Sequence, residues 1–268
     1  MQCNPASSKH RLCGSVSKLA IIVVLAASLG ACANKPKTGD ITGSIRNPFA
    51  TTENNPRSEV ERLGEAYKQN LADTAVAIAY AQALRKTDQN AQAVAVLEQA
   101  TIKNPKDKAL AGEYGRALAE SGRLQQALEV LSRAHTPDQP DWRVLNAQGA
   151  INDQLGSYKA ARRYYQAALK IAPEESAVLS NLGLSYILSK ELKLAESTLR
   201  RAAANPRAEP RVRQNLALSL ALQGKFEEAE KIAAGDLSSE EASANIAALR
   251  DLIKEQEQRP HNTKRKQS

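Results

Sequence analysis

The sequence predicts an all-α protein, an α-solenoid of about five repeated helix pairs with a capping helix at each end. Three observations lead there. Strong helix formers (Ala, Leu, Glu, Gln, Lys and Arg) dominate from residue 59 onward, and aromatic residues make up only 4% of the chain, too few to supply a β-sandwich core. A period of 34 residues runs from Thr74 to about residue 236 without insertion or deletion. Within each period, small and large apolar residues hold fixed places, as closely packed helices require.

Residues 1–31 read as an export leader. Lys9, Arg11 and Lys18 precede an unbroken apolar run, LAIIVVLAASL, over residues 19–29. That run is shorter than the roughly 20 residues a membrane-spanning helix needs, and small residues close it, as in a secretory signal peptide. Leu29-Gly30-Ala31-Cys32 resembles the bacterial lipobox. The resemblance implies that Cys32 attacks a lipid donor through its thiol, carries a diacylglyceryl group and becomes the new N-terminus. Two or three acyl chains would hold the protein on a membrane essentially permanently, since one alone gives only marginal binding. Ala33 stands where Asp tends to retain lipoproteins in the inner membrane of enteric bacteria, which favours the outer membrane facing the periplasm. The other cysteines, Cys3 and Cys13, lie in the leader, so the exported chain offers no disulfide framework and no Cys-based zinc site. Residues 32–58 are rich in Asn, Thr, Gly and Pro without apolar periodicity, and read as a flexible tether.

The repeats begin at Thr74, Lys108, Trp142, Ser176 and Pro210. Position 20 is Ala93, Ala127, Ala161, Ala195 and Ala229, and position 27 is Ala100, Ala134, Ala168 and Ala202 before failing at Asp236. Position 8 is always small: Ala81, Gly115, Gly149, Gly183 and Ala217. Position 24 carries Leu97, Leu131, Tyr165 and Leu199, with Ala233 last. This pattern resembles the tetratricopeptide repeat, over residues 74 to about 236. The resemblance implies paired antiparallel helices, A and B, whose small residues let neighbouring backbones approach. Gly122, Gly156 and Gly224 fall in the turn between A and B, where glycine admits positive φ cheaply, and Pro105 and Pro173 stop helix B.

Both ends carry a cap. Residues 59–69 form a leading helix, with Leu63 and Ala66 where a preceding helix B would place its packing residues; Ser58 and Glu61 propose a capping box. A last helix over residues 239–257 starts from a second box, Ser238 with Glu241, and presents Ala242, Ile246, Leu249 and Ile253 as one stripe. Solenoids need such covers, since an uncapped terminal repeat exposes an apolar face. The solenoid thus spans 59–257, and residues 258–268 read as a disordered basic tail. That tail is expected to be solvated rather than bound to anionic lipid.

The net charge of +8 suggests nucleic acid until it is mapped. The excess sits in the leader, the tether and the tail (Arg259, Lys264, Arg265 and Lys266), and the body between is close to neutral, so nucleic-acid binding is not expected. His10 and His261 lie in leader and tail, which leaves His135 isolated in the body. There is no phosphate loop, no Gly-x-Ser-x-Gly and no HExxH, and the pairs Glu227-Glu228 and Glu240-Glu241 suit solvation and helix capping. We expect no catalytic residue, no cofactor and no metal.

Function is then expected on the concave side, formed in this family by helix A positions 2, 5, 9, 12 and 13. In repeats one to three these include Gln82, Arg85, Lys86, Arg116, Glu120, Arg143, Asn146, Asp153 and Gln154. In repeats four and five they turn apolar: Leu184, Ile187, Leu188, Leu218 and Leu222. Arg116, Arg143, Asn146 and these five apolar residues are the candidate groove. Two readings of the apolar set stand side by side, cover by the cap helix or the superhelical curl, and a groove for a partner helix or extended peptide. Position 5 holds no Lys, which sets the chain apart from receptors for chaperone C-termini.

Together the lipobox, the Pro/Thr/Asn tether, the lone helix SEVERLGEAYKQN and the run AYAQALRKTDQNAQAVAVLEQATIKNP resemble the TadD proteins of tight-adherence (Flp) pilus systems. The resemblance implies a membrane-anchored, pilotin-like scaffold that assists the pilus secretin or other Tad components. The alternatives are a general outer-membrane or cell-envelope assembly lipoprotein and a periplasmic accessory of a cell-wall enzyme.

Overall fold

The computed structural model describes residues 56–265. The leader, Cys32 and residues 32–55 of the tether lie outside the described residues. Among the described residues are twelve helices and no strand. The helix α1 spans Pro56–Gln69, and five antiparallel pairs follow: α2 (Thr74–Lys86) with α3 (Asn90–Lys103), α4 (Lys108–Glu120) with α5 (Leu124–Leu131), α6 (Trp142–Gln154) with α7 (Tyr158–Ile171), α8 (Ser176–Leu188) with α9 (Leu192–Ala203), and α10 (Pro210–Ala221) with α11 (Phe226–Ala233). The last helix, α12, spans Ser239–Arg265. The predicted α-solenoid is the observed fold. None of these helices is long and apolar enough to cross a membrane.

The period recurs in the backbone chemistry. Each helix A follows an acidic residue 34 places from the last: Asp73, Asp107, Asp141, Glu175 and Glu209. The side chains of Asp73, Asp107 and Asp141 accept from the amides of Val76, Leu110 and Arg143 at 3.1, 3.0 and 2.7 Å. A carboxylate there satisfies an orphan N–H and meets the positive end of the helix dipole. At the A-to-B turn, the amides of Gln89, Arg123, Ser157, Glu191 and Lys225 reach back to the carbonyls of Leu84, Leu118, Asn152, Tyr186 and Leu220, at 2.8–3.0 Å. That closure needs a left-handed residue just before the donor. Gly122, Gly156 and Gly224 supply it as predicted, with φ of 79°, 74° and 79°. Asp88 and Lys190 supply it without being glycine, with φ of 59° and 66°.

The small residues stand where close approach demands them. A Cβ added at Gly115 or Gly183 would lie 2.4 Å from Leu131 or Leu199, in each case the large residue of the partner helix. The position-20 and position-27 alanines are buried, as are Leu97, Leu131, Tyr165 and Leu199.

Two boundaries differ from expectation, and two helices B end early. The leading helix begins at Pro56 rather than residue 59, so Ser58 lies in its first turn and the Ser58–Glu61 box is not its cap; proline is well suited to a helix start because its missing N–H would be unbonded there anyway. Helix α5 stops at Leu131, and Thr136 pairs with Gln139 about Pro137 in a tight antiparallel turn instead of continuing the helix. In repeat five, α11 stops at Ala233, and Asp236 accepts from Nε of Arg213 at 2.7 Å. At the end, α12 continues to Arg265, past residue 257 and through most of the segment expected to be disordered. Its start is as predicted: Glu241 accepts from the Ser238 amide at 3.1 Å, and the Ser238 hydroxyl accepts from the Glu241 amide at 3.3 Å.

Candidate functional site

The groove candidates divide once the core is seen. Ile187 is fully buried and Leu218 is 5% exposed, and both share one hydrophobic cluster with Leu199, Leu216, Ile246 and Leu249. They are core residues and do not line a groove, because they pack in that cluster with Leu216 and Leu220 of α10 and with Ile246, Leu249 and Ile253 of α12. Leu184 and Leu222 are half-buried against the same cluster, and Leu188 is half-buried. Arg143 is exposed, its guanidinium 4.5 Å from the centre of the Trp142 ring. Asn146 is committed to the next repeat, its Oδ1 accepting from Nδ2 of Asn181 at 3.0 Å.

The third and fourth repeats are stitched by similar polar links. Asn215 Nδ2 donates to the Ser180 hydroxyl at 3.1 Å, one repeat further along the Asn146–Asn181 link. Asp153, on α6, accepts from the Tyr165 hydroxyl at 2.8 Å and from the Ser185 hydroxyl at 2.7 Å. Burial raises the Asp153 carboxyl above its ordinary range, a rise opposed by these two hydrogen bonds and by Arg162. Burial and the Asp153 charge push the Tyr165 phenol upward. Along repeats three to five, then, the helix A side is largely bonded to itself.

Repeats one and two are linked as well, through charged side chains, but leave an opening. There α2 and α4 leave an open cleft of about 660 Å³, lined by Gln82, Arg85, Lys86, Asp88, Asn90, Glu113, Arg116 and Glu120. Its centre is the buried carboxylate of Glu113, which accepts from Gln82 Nε2 at 2.9 Å and Arg85 Nη1 at 3.0 Å and pairs with Arg116. Arg85 also donates through Nε to Glu120 at 2.6 Å. A charge-assisted set of this kind fixes the guanidinium planes of Arg85 and Arg116, which both line the cleft. Asn90 adds a buried Oδ1 with no partner. Arg116 of the predicted groove belongs here, with Gln82, Arg85, Lys86 and Glu120 of the wider helix A set. Sequence reasoning missed Glu113, since position 6 was not among the concave positions; its polar occupants Glu113, Asn181 and Asn215 were the available signal.

No group of three or more His, Cys, Asp or Glu side chains able to hold a metal exists among the described residues. The cleft holds charged donors and acceptors, paired with one another, and suits recognition of a polar chain.

Residues 88–151 and 154–217 match the family model described as tetratricopeptide repeat. No curated protein matches the sequence. Among solved structures, the crystal structure of the APC/C hetero-tetramer Cut9–Hcn1 is similar, with a TM-score of 0.59 at 16% identity, over 72% of this chain and 40% of that one. The human IFIT1 dimer with m7Gppp-AAAA gives 0.57 at 15% identity, over 67% of this chain and 46% of that one. The structure from the functional characterization of Pseudomonas aeruginosa pilF gives 0.51 at 18% identity, over 67% of this chain and 82% of that one. This chain spans less than half the length of the first two. At these identities the likeness is one of fold.

Proposed function

We propose that this chain, whose residues 88–151 and 154–217 match the tetratricopeptide-repeat model, is a scaffold for binding another protein and acts in a bacterial cell envelope, held to the membrane by lipid on Cys32. The observation that carries the binding reading is the cleft between α2 and α4, an open part of the helix A side rich in charged groups. A partner segment laid across it would meet Arg85, Arg116, Glu113 and Glu120 already oriented, so little side-chain entropy is lost on binding. A lipid anchor would add avidity by keeping that cleft close to machinery in the same membrane. The resemblance to TadD proteins supports a component of the Flp pilus apparatus as the partner, with the secretin foremost, and the outer membrane as the place.

The reading is tested in cells. Mass spectrometry of the exported protein should find acyl groups on Cys32, and Cys32→Ser should release it from the membrane fraction. A deletion strain should lose surface Flp pili and secretin multimers, and Lys86→Glu, at the exposed rim of the cleft, should weaken capture of the partner at unchanged helicity. Normal pili with envelope defects would assign a general assembly role instead. A co-purifying hydrolase or synthase would assign an accessory of a cell-wall enzyme.

A further inference from the structure

The helix B positions that face outward provide an internal comparison, because repeats one, three and four present the same places to solvent. In repeat three, positions 18, 22 and 29 are Lys159, Arg163 and Lys170. The same places hold Ala91, Ala95 and Ile102 in repeat one, and Lys193, Ser197 and Ala204 in repeat four. Solubility alone therefore does not require cations there. Lys159, Arg163 and Lys170, with Gln166 between, recur at the spacing of one helix face and are all exposed. Helix α7 (YKAARRYYQAALKI) contains four cations and no acidic residue. Its remaining cation, Arg162, is bound to Glu191 at 3.0 Å and lies 5.3 Å from the Tyr186 ring centre. The other three form no ion pair among the described residues, unlike Arg200 and Arg201 of α9, which meet Glu196, Glu228 and Glu174. Apolar side chains lie exposed near α7, Leu155 at the end of α6 at 38% and Ile171, the last residue of α7, at 41%, and Leu194 of the next repeat is 48% exposed.

We propose that this outer face of α7 rests on an anionic phospholipid surface. An unpaired basic stripe flanked by isolated apolar side chains matches a charged, non-directional surface with an apolar layer beneath it. The side chains offer neither a groove nor a bonded acceptor set that would select one protein sequence. The proposal deepens the membrane-anchored reading: the chain between Cys32 and Pro56 spans at most about 86 Å when extended, so an anchored solenoid stays within reach of the bilayer. Lying on α7 would leave the helix A side, with the α2–α4 cleft, facing away from the lipid.

The test uses the full chain carrying Cys32→Ser, so that no acyl group contributes. Flotation is measured with phosphatidylcholine vesicles, with and without phosphatidylglycerol. The parent should partition onto the phosphatidylglycerol vesicles and come off as salt rises. Lys159→Gln with Arg163→Gln and Lys170→Gln should lower that partition by about tenfold or more. Lys103→Gln with Lys106→Gln and Lys254→Gln removes the same charge from exposed sites elsewhere and should lower it far less. Leader and tail are common to all three chains, so their own affinity cancels, and circular dichroism verifies that each is folded. Equal partition of the α7 variant and its parent overturns the proposal, and loss of a bound acidic protein from that variant would then assign the face to protein. Acylation is read separately on the wild-type protein, so absent acyl groups with vesicle binding intact would sink the anchor and spare the surface.

Discussion

Tyr165 fills the space that a side chain at Gly149 would need: a Cβ there would stand 2.5 Å from Cε1 of the ring. The two residues are positions 8 and 24 of repeat three, so this contact joins α6 to α7. Gly149→Ala should cost about 1–2 kcal/mol net, overpacking outweighing the roughly 1 kcal/mol that alanine gains in a helix. Tyr165→Leu in the same chain should return part of it, because the ring is the obstacle. Chemical denaturation of the single and double variants measures both effects. An unchanged midpoint for the alanine variant would show that the helices yield freely.

Lys190 is a second site where backbone and side chain disagree. Its φ of 66° is held by the turn closure from Glu191 to Tyr186, in the place where three other repeats use glycine. Lys190→Gly should stabilise the protein by about 1 kcal/mol by removing the left-handed penalty. Asp88→Gly should gain less, because a short polar side chain tolerates that region better. Thermal melts of the two variants give the ranking, and a loss for Lys190→Gly would mean that its side chain has an unseen partner.

Glu196 and Asp153 should give opposite responses to pH. Hydrogen bonding from Lys225, then from Arg200 and Gln223, lowers the Glu196 carboxyl to about 2. A lowered folded-state value adds stability above the ordinary carboxylate value, and that stability is lost as pH falls toward 2. Glu196→Gln should therefore cost most near neutrality and progressively less below about pH 4. Asp153 is raised, burial outweighing its hydrogen bonds, so its protonated form favours folding and that contribution disappears as pH rises. Asp153→Asn should gain relative to its parent from about pH 4 upward. Urea midpoints across pH 3 to 7 separate the two slopes, and parallel curves would contradict both assignments.

Gln148 is 4% exposed, and its Oε1 has no hydrogen-bond partner. It holds position 7, where repeats four and five place Leu182 and Leu216. An unsatisfied buried amide costs about 1–3 kcal/mol, so Gln148→Leu should raise the unfolding free energy by about that much. The backbone carbonyl of Gln148 keeps its bond from Asn152 at 2.7 Å in either form. A destabilised variant would reveal a buried water or partner on Oε1.

The sequence by itself determined the repeat. The small and large residues at positions 8, 20, 24 and 27 recur because two helices can approach closely only where one lacks a side chain, and that demand repeats in every pair. It determined the turn glycines and the Ser238 cap for the same local reason. The acidic residues that precede each helix A, from Asp73 to Glu209, recur with the same period, and the first four cap their helices through the side chain. What only the tertiary structure decided is the division of the helix A side. Whether an apolar residue there is groove or core depends on what packs over it, and the next repeat's α10 together with α12 took Ile187 and Leu218 into the core. Glu113 was hidden likewise, because its role arises from Gln82 and Arg85 on another helix, brought together by the superhelical twist, which one period of sequence does not specify.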